Sequence, residues 1–116
     1  MDPTLTVATV LAALVTLFVF RSFAGKCSPT LAKQLVSVGA KLVDVRTPGE
    51  FSAGHIDGAV NVPLHELDGR VMELGDVDKP IVLYCRSGAR SGKAKRLLGT
   101  HGFTEVHDLG AMTRWG

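Results

Sequence analysis

Six consecutive residues, Cys85-Arg86-Ser87-Gly88-Ala89-Arg90, bring together a nucleophile, two guanidinium groups and a glycine. They follow the apolar run Ile81-Val82-Leu83-Tyr84 directly and open into a helix-like stretch. In such a turn several backbone N–H groups converge on the sulfur, while the helix start and the arginines add positive potential. A thiol with an ordinary pKa of about 8.5 is then largely thiolate near neutral pH. A cysteine alone is more often a small buried hydrophobe. Its neighbours decide otherwise here, because Arg86 and Arg90 are costly at the end of a buried strand without an anion to meet. Gly88 lets the backbone curl toward that ligand.

The remaining candidate groups are sparse. Net charge is +2 over 116 residues, so no global bias argues for nucleic acid. Positive charge is concentrated instead around the cysteine loop, in Arg86, Arg90, Lys93, Lys95 and Arg96, which suits a small anionic substrate. Of these, Lys93 and Lys95 read as a solvated helix face. Cys27 and Cys85 are far apart, and His55, His65, His101 and His107 are scattered, so neither a disulfide framework nor a metal site is expected. Cys27 reads as a free thiol beside the apolar N-terminal segment, or as a point of lipidation or sulfur exchange with Cys85. Lys26 departs from the small-residue context of a lipoprotein signal.

The elements that must position the loop alternate between strand and helix. Ser28-Pro29 is an N-cap with proline at the first helical position, and Leu31, Ala32, Leu35 and Val36 mark an amphipathic helix ending before Gly39. Leu42–Val45 reads as a strand. Thr47-Pro48-Gly49-Glu50 is a capping box opening a brief helix that Gly54 ends. Ala59–Val62 is a second strand, Leu64–Leu74 a helix with Leu67, Val71 and Leu74 on one side, and Ile81–Tyr84 a strand buried on both faces. After the loop, Ala94, Leu97 and Leu98 define a helix that Gly102 ends, and Val106–Leu109 is a last strand. This order predicts an α/β layered fold with a mostly parallel sheet flanked by helices and ligands at the strand carboxyl ends, where Cys85 falls.

From Pro3 to Phe20 the chain runs 18 residues without a charge. As a helix that is about 27 Å, enough to span a bilayer. Arg21, Lys26 and Lys33 follow the run and only Asp2 precedes it, which predicts a single-pass anchor in a bacterial inner membrane with the C-terminal domain cytoplasmic. The alternative is a secretory signal cleaved after Ser22-Phe23-Ala24, which would leave the domain periplasmic; against it, no Lys or Arg precedes the apolar core. Residues 1–26 are thus expected to form a transmembrane helix with a short linker, and residues 27–116 the globular domain.

Residues 28–115 resemble a single-domain rhodanese, a thiosulfate sulfurtransferase. The resemblance is carried by Asp44-Val45-Arg46 with Glu50-Phe51, by Gly54-His55-Ile56-Asp57-Gly58-Ala59-Val60-Asn61-Val62-Pro63, by the Cys85–Arg90 loop, and by Gly110-Ala111-Met112 with Trp115. It implies the rhodanese fold and a ping-pong reaction in which the Cys85 thiolate takes the outer sulfur of thiosulfate, releases sulfite, and passes the sulfur to a thiol or cyanide acceptor. By motif position Arg86 and Arg90 hold the sulfonate, and the amides of Ser87, Gly88 and Ala89 line the cradle. Arg90 could instead anchor the loop through a carboxylate such as Asp44. Asp44 and Arg46 are expected to tie strand to loops, Glu50 to reach Arg46, and His55 to be an oriented scaffold residue. No metal or other cofactor is implied.

Three other readings compete. A phosphatase or arsenate reductase would use the same architecture, but with Arg90 after four intervening residues the loop is one residue short of the one that surrounds phosphate. A non-catalytic module recruiting a partner to the membrane would not need the cysteine that is present. A sulfur relay to an acceptor protein would leave no motif of its own.

Overall fold

Local chemistry starts the folded part where the sequence places it. The Ser28 hydroxyl accepts the Leu31 N–H at 3.1 Å and Pro29 occupies the first helical position, so helix α1 runs Pro29–Ser37. The computed structural model describes residue 4, residues 6–14 and residues 25–116. Strand β1 (Lys41–Asp44) follows, then helix α2 (Pro48–Ala53), capped by Thr47 and Glu50 in a reciprocal box. Next come β2 (Val60–Asn61), α3 (Leu64–Leu67), β3 (Ile81–Cys85), α4 (Ala89–Thr100) and β4 (Val106–Ala111). Short 3-10 turns occupy Val71–Leu74 and Met112–Trp115.

The four strands form one parallel sheet in the order β2-β1-β3-β4. All five residues of β3 are buried, as a central parallel strand covered on both faces requires. Alternation splits the core in two. Val43, Val45, Ile81, Leu83 and Cys85 pack with Leu67, Leu74, Ala94, Leu98 and Phe103, on the α3 and α4 side. Leu42, Val82, Tyr84 and Leu109 pack with Ala32, Leu35 and Val36 of α1 on the other. Leu83 pairs with Asp108 but Tyr84 with Gly110, so Leu109 is an extra residue that bulges β4 just before the site.

The helix expected over Leu64–Leu74 is two pieces. The backbone switches to i→i+3 bonds, from Gly69 N–H to the Glu66 carbonyl, Arg70 to Leu67 and Glu73 to Arg70. Gly69 weakens a continuous helix at that point, and a two-pronged Arg70–Glu73 pair at 2.7 and 2.9 Å holds the tighter turn. Leu67, Val71 and Leu74 still reach one cluster, so the apolar spacing was satisfied without the helix.

Residues 6–14 are helical. Among the described residues no helix is long and apolar enough to cross a membrane, and the rest of the expected Pro3–Phe20 span, with Arg21, lies outside them.

Candidate active site

Strand β3 delivers Cys85 to the carboxyl edge of the sheet, and α4 begins four residues later. Between them Gly88 adopts φ +99°, a left-handed conformation that turns the chain back over the sulfur. A Cβ at Gly88 would meet the Gly110 Cα at an ordinary contact distance of 3.6 Å, so it is the torsion that disfavours larger residues here. The Gly88 amide donates to Cys85 Sγ at 3.0 Å and the Ser91 amide at 3.4 Å; the Ser91 hydroxyl lies 3.5 Å from Sγ. Burial pushes the Cys85 thiol up, but the Ser91 hydroxyl and the Ser91, Gly88 and Ser87 amides together outweigh it, and the thiol is held below its ordinary value. Cys85 itself has no exposed surface.

Ser91 was absent from the sequence reading. It is fully buried, and its hydroxyl donates to the Gly88 carbonyl at 3.2 Å. The available signal was its place in the first turn of the helix that the cysteine loop opens. The Ser87 amide adds to the lowering of the thiol, whereas among the described residues the Ala89 N–H makes no hydrogen bond to the sulfur. Ser87 and Ala89 are exposed.

The two arginines differ. Arg86 is exposed, and no carboxylate among the described residues pairs with it. Arg90 forms a two-pronged ion pair with Glu50 at 2.6 and 2.9 Å. Its carboxylate partner is therefore Glu50 rather than Asp44. Glu50 does not meet Arg46 as expected: it serves the Thr47 amide and hydroxyl and Arg90 together, and these, with the Arg90 bond foremost, bring its carboxyl down to about 2. Arg46 turns to Asp44 instead, with three side-chain bonds of 2.7 to 3.0 Å, and to the Gly54 carbonyl at 2.7 Å. Both Asp44 and Arg46 are buried, so removing either partner would cost about 3–5 kcal/mol. Asp44 and Arg46 thus tie β1 to the loops around it.

Lys26, read from the sequence as linker, packs on the folded body, and Cys27 is a free cysteine buried within it. Lys26 Nζ bonds Asp108 Oδ2 at 2.7 Å and the Gly88 carbonyl at 3.0 Å. The Cys27 amide donates to the Asp108 carbonyl at 2.6 Å, taking a place at the β4 edge. The Cys27 side chain is buried in the α1-side cluster, away from the Cys85 cluster, and burial pushes its thiol up. Lys95, half-buried, acts on Cys27, while Lys93 and Arg96 are exposed.

Other groups frame the site. The Tyr84 hydroxyl accepts the Ile56 N–H at 3.1 Å, and burial foremost pushes the phenol up to about 12. His55 stacks on Phe51 at 3.7 Å between centroids and bonds its carbonyl, the scaffold position expected of it. A cleft of about 280 Å3 lies beside Arg90, lined by Val45, Thr47, Pro63, Leu64 and His65. Among the described residues no cluster of His, Cys, Asp or Glu could hold a metal ion.

A parallel α/β sheet presenting a thiol under the Gly88 and Ser91 amides at a strand's carboxyl end defines the class of cysteine-loop α/β proteins. Comparison with known proteins specifies it: residues 28–116 match the rhodanese-like domain, and the chain belongs to that family. It is 36% identical over 91 residues to thiosulfate sulfurtransferase GlpE of Ectopseudomonas mendocina, covering 78% of this chain and 83% of that one. An uncharacterized Bacillus subtilis protein, YqhL, is 47% identical over 78 residues, covering 66% of this chain and 61% of its own length. Among solved structures, the human single-domain sulfurtransferase TSTD1 superposes with a TM-score of 0.68 at 30% identity, over 78% of this chain and 93% of that one.

Proposed function

We propose that the protein is a sulfurtransferase moving sulfane sulfur from thiosulfate, or another persulfide donor, to a thiophilic acceptor through a persulfide on Cys85. The observation that carries this is the buried sulfur with the Gly88 and Ser91 amides aimed at it, the Ser91 hydroxyl beside it and its ionisation favoured. The thiolate attacks the outer sulfur of thiosulfate; a new S–S bond forms, the donor's S–S bond breaks, and sulfite leaves with the electron pair. Cyanide or a thiolate acceptor then attacks the terminal sulfur, forming thiocyanate or a new persulfide and returning the Cys85 thiolate. The balance closes without oxidant, metal or cofactor.

Arg86, exposed and without a carboxylate partner among the described residues, is the residue that meets the sulfonate. Arg90, held by Glu50, fixes the far side of the loop and lends charge as the donor arrives. The Ser87, Gly88 and Ser91 amides and the Ser91 hydroxyl hold the anionic sulfur before and after transfer. Because Cys85 is fully covered at rest, the exposed loop residues Arg86, Ser87 and Ala89 give way to admit the donor. Relatives named thiosulfate sulfurtransferase support the choice of donor. The uncharged run Pro3–Phe20, followed by Arg21 and Lys33, supports an anchored protein with its domain on the cytoplasmic side.

The test is intact-mass spectrometry after incubation with thiosulfate. One added sulfur, mapped to Cys85, removed by cyanide and absent in Cys85→Ser, is the expected result. An unmodified Cys85 beside a sulfurtransferase that loads under the same conditions would end the catalytic reading.

A further inference from the structure

The Lys26 side chain lies in a trough made by three glycines. A Cβ at Gly88 would stand 3.4 Å from Lys26 Nζ, one at Gly92 3.7 Å from it, and one at Gly110 3.4 Å from Lys26 Cδ. These are ordinary contact distances, so the stem packs against the three glycines as it crosses the start of α4 and places its ammonium on the cysteine loop.

At the end of the trough the ammonium has two fixed partners. Asp108 is buried; its Oδ2 holds Lys26 at 2.7 Å, and its Oδ1 accepts the Gly110 N–H at 2.9 Å across the β4 bulge. The second partner is the Gly88 carbonyl, which also accepts the Ser91 hydroxyl at 3.2 Å and the Gly92 amide at 3.1 Å. Three donors therefore meet on one oxygen, and the same glycine's N–H is the shortest contact to Cys85 Sγ. Lys26 does not touch the sulfur, so it acts through the loop.

We infer that Lys26 is a positioning residue for the nucleophile: braced by Asp108, its ammonium fixes the Gly88 carbonyl and so aims the Gly88 and Ser91 amides at Cys85. A pin on this carbonyl matters because Gly88 is the one left-handed residue of the loop and carries no side chain to hold it in place. The inference rests on reading Cys85 as the working nucleophile, and its test is separable from sulfur transfer.

The test uses the full-length protein and iodoacetamide, with alkylation quantified on the Cys85 peptide from pH 5 to 10. For Lys26→Met the curve's midpoint should move to higher pH, with alkylation about fivefold slower on its acid side, the size of one net hydrogen bond. Lys26→Arg should restore most of the wild-type curve. Melting curves establish that each variant is folded; should Lys26→Met fail to melt cooperatively, Asp108→Asn replaces it, since asparagine keeps an acceptor for Gly110 but loses the charge that braces Lys26. A midpoint unchanged in the folded variant overturns the inference, as does an equal displacement in Lys26→Met and Lys26→Arg. Absence of thiosulfate loading in wild type, alongside a displaced Lys26→Met curve, would remove the transfer reading and leave the role of Lys26 standing.

Discussion

Replacing Ser91 by alanine removes the one side-chain donor beside the sulfur while leaving the Ser91 amide in place. The Ser91 hydroxyl is fully buried, 3.5 Å from Cys85 Sγ and 3.2 Å from the Gly88 carbonyl. When the thiol ionises, the hydroxyl can turn from the carbonyl to the sulfur. A hydrogen bond to a charged group contributes about 1.5–3 kcal/mol, and 3.5 Å is long enough to take the lower bound. About 1.5 kcal/mol is roughly a tenfold change in the thiolate population at any pH below the transition. The sign follows from the environment: burial raises the thiol, the donors lower it, and losing one lets burial regain ground. Alkylation of Cys85 by iodoacetamide at neutral pH should therefore slow about tenfold in Ser91→Ala, with the same plateau at high pH. The fold should hold, because the Gly88 carbonyl keeps Lys26 and the Gly92 amide. A wild-type midpoint with a lowered plateau would refute the reasoning, because it would mean that Ser91 governs access rather than ionisation.

Arg86→Ala should cost about tenfold or more in kcat/KM with thiosulfate, the scale of one lost charge-assisted contact, and much less with an uncharged persulfide donor; equal losses would make Arg86 structural. Glu50 contributes to the acid dependence. Its folded-state value of about 2 lies below the ordinary 4.5, so it contributes stability that is fully present above 4.5 and lost as pH falls from there through about 2. Thermal melts from pH 7 to 2 should show a shallower acid limb in Glu50→Gln than in wild type, and identical slopes would show that the Arg90 pair does not hold the fold.

Much of this was legible because it is local. Ser28-Pro29 and Thr47-Pro48-Gly49-Glu50 set their helices through partners three residues away, and the apolar run Ile81–Tyr84 announces a covered strand. One pattern satisfies two structures at Leu67, Val71 and Leu74, whose spacing suits both a helix and a broken pair of turns. Charge pairs are less legible, because distant residues compete as partners. Glu50 has Arg46 at helical distance in sequence but meets Arg90, forty positions on, because Arg46 is already taken by Asp44 two residues away. Lys26 was assigned to the membrane flank since nothing near it in sequence reveals Asp108 or the three glycines that accommodate it. No motif marks Ser91, although a hydroxyl in the first turn of a helix that starts at a nucleophile is placed to reach it.

The division of the core by the sheet bears on how this protein ages. Both cysteines are reduced and buried, with Cys85 in the cluster facing α4 and Cys27 in the one facing α1. A sulfenic acid formed on Cys85 has no resolving thiol on its own side of the sheet, and Cys27, kept protonated by burial, is a poor one. The chain cannot protect itself by closing an internal disulfide, so peroxide carries Cys85 onward to sulfinic acid unless a small thiol in the surroundings caps it first. A sulfur atom already resting on Cys85 would act as a sacrificial cover, since oxidation of the outer sulfur leaves an S–S bond that a reductant can still cleave.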